Sequence, residues 1–186
     1  MEELTAGDPA EVALENARRK ARAVAGEVRR AAGEERVAGE ERVAGGGRAA
    51  EGSRAGGDGH AGEGSAAVLG VDTLVALDGR IYGQPADEEA ARATLRALAG
   101  RTHTVLSGLV LASQRGERSG VEKTAVSFRD LDESAIDWYV ATGEWRGRAG
   151  AYAIQERGAA LVRRIEGDYL NVVGLPLGLL LDLASS

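Results

Sequence analysis

From Val68 to Leu77 the chain reads VLGVDTLVAL, a run of apolar and β-branched residues that predicts a strand buried on both faces. Asp78-Gly79 follows as a two-residue hairpin turn, and RIY returns beyond it. Upstream, Leu14, Ala17, Ala21 and Val24 recur at helical spacing, which predicts a helix from Pro9 to Ala25. Asp8 is its N-cap, Pro9 suits the first helical position, and Glu11 completes a spacing like a capping box. Downstream, Ala91, Leu95 and Leu98 line a helix from Asp87 to Ala99 that Gly100 stops. THTVLSGLVLAS (102–113) and VEKTAVSF (121–128) form an antiparallel pair across a QRGE turn. Asp132 caps a further helix carrying Ile136, Tyr139 and Val140. AYAIQ (151–155) and AALVRRI (159–165) read as strands, DYLNVVGLP is broken by Gly174 and Pro176, and LGLLLDLA closes as a short helix. Strands and helices alternate while several strand pairs share tight turns, so the pattern predicts an α/β fold with a mixed sheet.

Between Gly26 and about Ser65 the pattern disappears. GEERVA at 33–38 repeats at once at 39–44, and a tract of Gly, Ala, Ser, Glu and Arg follows. With no aromatic residue, Leu or Ile, this segment buries too little apolar surface to offset the entropy of ordering. It is expected to be a flexible low-complexity insert over 27–66, with transient helix in its repeated part. His60 lies there without neighbouring ligands.

Composition narrows the class. The 186 residues are 44% apolar, with 27 glycines concentrated in the insert and loops, and the net charge is −6. No basic domain stands out, so duplex nucleic acid is not an expected partner. The absence of cysteine removes disulfides and thiolate chemistry. No apolar run reaches the roughly 18 residues of a membrane span, and MEELTAGDPAEV lacks the basic-then-apolar order of a signal peptide. The expectation is a cytoplasmic protein with no membrane partner.

Candidate chemistry begins at Asp72-Thr73, a carboxylate and a hydroxyl inside the apolar strand. An ionised carboxylate there is costly unless it is paired, binds a metal or opens onto a cleft. A structural Asp bonded to backbone amides is the competing reading, and this stretch alone does not decide between them. Lys20, the GRTH run at 100–103, the GEWRGRAG loop at 143–150 and Gln155 complete a dispersed set. Carboxylate, cations and a bare Gly-rich loop suit a phosphorylated ligand with a divalent ion, and an amide can read a base edge. Phosphate-loop, dinucleotide, zinc-protease and hydrolase-elbow motifs are absent.

Three blocks, GVDTLVALDGRIYGQP, LAGRTHTVLSG and GEWRGRAGAYAIQERGAALVRRIEGDYLNVVGLPL, together resemble the Maf family of nucleoside triphosphate pyrophosphatases over nearly all of 68–184. ARRKARAVA at 17–25 is similar to the family's early helix. The resemblance implies one domain over 1–186, with an elongated mixed sheet flanked by helices and two lobes around a nucleotide cleft, similar to that of inosine triphosphatases. It implies hydrolysis of dTTP, UTP and related modified pyrimidine triphosphates to monophosphate and pyrophosphate, with Mg²⁺ or Mn²⁺ as cofactor. Asp72 matches the family's catalytic proton acceptor and a metal ligand, Glu3 a further acidic metal ligand, and Lys20 the phosphate-contacting lysine. Thr73 and Gln155 match the dTTP/UTP subgroup, and Arg148 stands where a substrate-binding lysine is usual. Gln84 replaces the lysine of the family's GKP position. The resemblance also allows a homodimer.

In an ideal strand Asp72 and Thr73 face opposite ways, so their joint contact with one nucleotide predicts an irregularity at that point. The family's first strand and SxSPRR loop are absent before Met1, an absence that a late-assigned start explains more readily than a true truncation, given the intact AYAIQ and NVVGLPL. A non-catalytic nucleotide-binding or cell-division-linked regulatory protein is the rival reading, motivated by that missing loop.

Overall fold

A computed structural model describes residues 4–43 and 67–185, with side chains in the first segment described as far as Arg30, that of Arg29 excepted. Helix α1 spans Pro9–Val43. Strand β1 (Val68–Leu77) turns through Asp78-Gly79 into β2 (Arg80–Tyr82), followed by α2 (Glu88–Leu98). The long hairpin β3 (Thr102–Ser113) and β4 (Gly116–Phe128) leads to α3 (Glu133–Ala141). Two 3₁₀ turns (Ala149–Ala151, Arg157–Leu161), β5 (Val162–Glu166), α4 (Tyr169–Val173) and α5 (Leu177–Ser185) complete the chain.

Local chemistry explains most boundaries. The Asp8 carboxylate accepts from Ala10 N at 2.9 Å and Glu11 N at 3.1 Å. Asp87 accepts from Ala90 N and Asp132 from Ala135 N, each at 2.8 Å. These are the expected caps, and each satisfies an amide that helix geometry leaves unpaired. At the hairpin, Asp78 and Gly79 both take positive φ, 52° and 76°, the backbone that this turn type demands.

The α/β class holds, with helices packed on both sheet faces. The strands lie in the order β2-β1-β3-β4-β5 and every described pair is antiparallel, so the sheet is antiparallel rather than mixed. Tight turns join β1 to β2 and β3 to β4, which forces antiparallel pairing. AYAIQ is not a strand but a 3₁₀ turn followed by irregular chain. Gly150 and Ala151 sit at φ 69° and 61°, outside the β region. AALVRRI is strand only from Val162 onward. The first helix passes its expected end at Ala25 and continues to Val43.

Two packed layers cover the sheet. On one face α1 lays Val12, Ala13, Ala17 and Ala21 against Leu74, Ala76, Leu106 and Val110. On the other, Leu95, Leu98, Ile136, Tyr139, Trp145 and Tyr152 pack over Val75, Val105, Val126 and Phe128. The first contact is unusually close because the sheet is bare beneath the helix. A Cβ added at Gly70 would lie 2.1 Å from Ala17 O, and one at Gly108 would lie 2.5 Å from Ala13 O. The helix backbone therefore rests directly on the strands. No helix among the described residues is long and apolar enough to cross a membrane.

Candidate functional site

The register of β1 against β3 sets the site. Asp72 lies opposite Gly108, and Thr73 opposite Ser107. Because Gly108 has no side chain, α1 settles above Asp72 and brings two of its residues, one turn apart, onto the carboxylate. Lys20 Nζ lies 2.5 Å from Asp72 Oδ1, and Asn16 Nδ2 donates to Asp72 Oδ2 at 3.0 Å. Asp72 is 6% exposed, so pairing on both oxygens is what makes its burial tolerable. On the opposite face, Thr73 Oγ1 and Ser107 Oγ share a hydrogen bond of 2.8 Å. Thr73 Oγ1 also donates to Gly174 O at 3.4 Å.

The expected irregularity at Asp72-Thr73 is not there. β1 and β3 pair without interruption from Val68 to Ala76, and the register shift in the sheet falls between Ser127 and Phe128 of β4. Both residues reach one cleft for another reason. β2 covers only Val75 to Leu77, so among the described residues β1 from Val68 to Leu74 is an open edge. A cleft that wraps around an edge meets both faces of the strand.

This cleft has a volume of about 190 Å³ and gathers Lys20, Asp72, Thr73, Gln84, Arg148 and Gln155. Among the described residues its charged lining is Lys20, Arg148 and Asp72, and the two cations suit an anionic ligand. Arg148 and Gln155 come from the loop after α3, which is Gly-rich yet anchored. Trp145 is buried and donates Nε1–H to Val140 O at 3.1 Å. Gly150 N donates to Gly83 O at 3.2 Å, and Ala153 N to Tyr139 Oη at 3.0 Å. Ala151 holds a left-handed backbone in a fully buried position, a conformation costing a non-glycine residue roughly 1–2 kcal/mol. That cost is concentrated in the segment that carries Arg148 and Gln155 to the cleft.

The GRTH run is not part of this site. Arg101 pairs with Asp78 at the surface. His103 is 1% exposed, with Nε2 2.9 Å from Tyr152 Oη and its ring edge-on to Phe128. Burial pushes the imidazole down to about 4 and the Tyr152 phenol well above its ordinary range, so both are neutral at pH 7. Tyr139 is raised to about 12, chiefly by burial. Glu3 and His60 lie outside the described residues.

Sequence reasoning missed Asn16 and the polar layer behind Thr73. In that layer Asn171 Nδ2 donates to Val105 O at 3.1 Å and to Thr124 Oγ1 at 2.9 Å, tying α4 to the sheet. The legible signal for Asn16 is its place four residues before Lys20, inside a stripe of small apolar residues.

The sequence profile of the family described as Maf-like protein matches residues 1–186. The chain belongs to this family. Curated relatives named dTTP/UTP pyrophosphatase align with part of it. That of Pyrococcus furiosus is 47% identical over 116 residues, 62% of this chain and 61% of the relative. That of Deinococcus radiodurans is 48% identical over 118 residues, 63% and 60%. That of a Geobacillus species is 54% identical over 110 residues, 59% of each. The chain thus spans about three-fifths of the length of the curated relatives it matches.

Among the described residues, Asp72 is the carboxylate that this Maf cleft offers to a divalent ion. Among the described residues no three acidic or imidazole groups converge, so an all-protein cage is not formed. Asp72 retains lone pairs on both oxygens beyond its two hydrogen bonds. A single carboxylate of this kind suits an ion completed by substrate phosphates and water, the habit of Mg²⁺.

Proposed function

We propose that the chain is a nucleoside triphosphate pyrophosphatase acting on dTTP, UTP and related modified pyrimidine triphosphates, forming the monophosphate and pyrophosphate. The observation that carries this reading is the buried Asp72 carboxylate paired with Lys20 at the mouth of a cation-lined cleft. The names of the relatives point to the same substrates.

Asp72 accepts a proton from a water whose oxygen attacks the α-phosphorus. The bond between that phosphorus and the oxygen bridging to the β-phosphorus breaks, and pyrophosphate leaves. Lys20 is 38% exposed and flexible enough to turn from Asp72 to a phosphate oxygen, which frees Oδ1 as it neutralises the substrate. Arg148 neutralises the polyphosphate from the opposite wall, and Thr73 and Gln155 supply the hydrogen bonds that select the nucleoside. Asp72, with Glu3 as the proposed second carboxylate, would hold Mg²⁺ or Mn²⁺. When bound, the ion supplies Lewis-acid neutralisation of the departing pyrophosphate. The proposal treats 1–186 as one catalytic domain interrupted by an insert at 27–66. It places the enzyme in the cytoplasm, with no duplex nucleic acid or membrane partner, and allows a homodimer.

The test is pyrophosphate release from a panel of nucleoside triphosphates with Mg²⁺ or Mn²⁺. Turnover of dTTP and UTP that Asp72→Asn abolishes supports the reading. Nucleotide binding by calorimetry without turnover would instead select the non-catalytic reading, and an Asp72→Asn variant as active as wild type would remove Asp72 from the chemistry.

A further inference from the structure

The orientation of Asp72 depends on a side chain that lies outside the main cleft. Asn16 sits in the interior of α1, where Asn is disfavoured, and is only 3% exposed. A carboxamide there is costly unless its hydrogen bonds are made, and three of its four are. Oδ1 accepts from Leu4 N at 2.8 Å, and Nδ2 donates to Leu4 O at 3.1 Å and to Asp72 Oδ2 at 3.0 Å. Asp72 is thereby gripped from two sides. Lys20 holds Oδ1 from the large cleft, while Asn16 holds Oδ2 from a neighbouring cavity of about 40 Å³ that it lines with Leu4, Thr5 and Ile81.

The two grips differ in kind. Lys20 is a long, partly exposed cation with reason to move to a phosphate. Asn16 is short, buried and anchored by the Leu4 backbone. Once Lys20 turns to substrate, the Asn16 amide is the hydrogen bond that still fixes the carboxylate plane among the described residues. We propose that Asn16 is a positioning residue that holds the plane of the Asp72 carboxylate, keeping one oxygen aimed into the cleft throughout turnover. The inference rests on the pyrophosphatase reading above. Tying Leu4 to α1 needs only the two bonds to Leu4; the third offsets the burial of Asp72 and, being anchored by the other two, also fixes the carboxylate plane.

The experiment is steady-state pyrophosphate release from dTTP with Mg²⁺, beside thermal unfolding, for wild type, Asn16→Leu and Asn16→Asp. Asn16→Leu removes every bond while keeping the branched outline of the side chain. Asn16→Asp keeps the shape and the acceptor for Leu4 N but sets an oxygen against Asp72 Oδ2. The expected result for both is a fall in kcat of roughly tenfold to a hundredfold, the scale of a small misplacement of a reacting group. KM stays within about twofold, because the nucleotide's own contacts are untouched. Unchanged kcat in both variants, a loss expressed only in KM, or loss of the folded state in both would overturn the proposal. A wild-type chain silent on every nucleotide would sink the pyrophosphatase reading instead, and this is seen before any variant is made.

Discussion

Replacing Gly70 with alanine tests the idea that close helix–sheet contact builds the site. The added Cβ would lie 2.1 Å from Ala17 O and 2.8 Å from both Ala21 N and Ala21 Cβ. Ordinary contact begins at 3.4 Å, and 3.4 less 2.1 leaves a deficit of 1.3 Å that backbone atoms must absorb. No rotamer change relieves it, so α1 must retreat from β1 by about that distance. Overpacking of this kind costs about 1–3 kcal/mol, which for a chain of this size lowers Tm by about 2–12 °C. The effect on the site is selective. Lys20 is long and can follow Asp72, but Asn16, now 3.0 Å from Asp72 Oδ2, cannot stretch across a further 1.3 Å. Turnover should therefore fall by roughly a hundredfold even where the protein stays folded. Urea denaturation followed by tryptophan fluorescence, with pyrophosphate release at a temperature well below Tm, measures both. Gly26→Ala is the control: the same helix, but a Cβ there meets nothing within 4 Å. It should stabilise by about 0.5–1 kcal/mol and leave turnover alone. A Gly70→Ala protein with wild-type stability and kcat would refute the reasoning.

Three other outcomes are expected. Burial holds the folded-state pKa of His103 at about 4, below its ordinary 6.5, so the unfolded chain takes up the proton first. Its contribution is complete above pH 6.5 and is lost as pH falls through about 4, up to roughly 3 kcal/mol; His103→Gln should flatten that part of the urea-midpoint profile, and an unaltered slope would count against it. Arg148→Ala should raise KM for dTTP about tenfold with a smaller change in kcat, and Arg148→Lys should recover part of the loss if charge is what matters; equal KM values would remove Arg148 from substrate binding. Chelation of divalent ions should stop turnover while shifting Tm by less than about 2 °C, since the described residues form no cluster of three metal-binding side chains; a large drop in Tm would point to a structural metal.

Much of the fold was legible because its signals are local. Asp8, Asp87 and Asp132 cap helices through amides two or three residues away. Asp78-Gly79 turns the first hairpin through its own backbone preferences. AYAIQ misled for the opposite reason. Its apolar residues fit a strand, but Ala153 N is captured by the Tyr139 hydroxyl, and Gly158 packs where a Cβ would lie 2.4 Å from Ala153 O. Tertiary contacts override β propensity there. Lys20, Asp72, Thr73, Arg148 and Gln155 could be picked out as residue types suited to a nucleotide. Asn16 was missed because a single polar residue in a helix carries no periodic signal of its own, and only its place four residues before Lys20 marks it.

By itself, then, the sequence determined where α1, α2, α3 and α5 begin, the β1-β2 and β3-β4 hairpins, and the presence of one acid in a strand where water is scarce. What surrounds that acid was decided by the tertiary structure alone. Pairing Asp72 with Gly108, rather than with either neighbour, leaves an empty place on the sheet. The backbone of α1 fills it, and Asn16 and Lys20 close on the carboxylate from two sides. The physical reason is that a one-residue slip would turn Asp72 to the other face, and no local preference within either strand specifies which residue lies opposite.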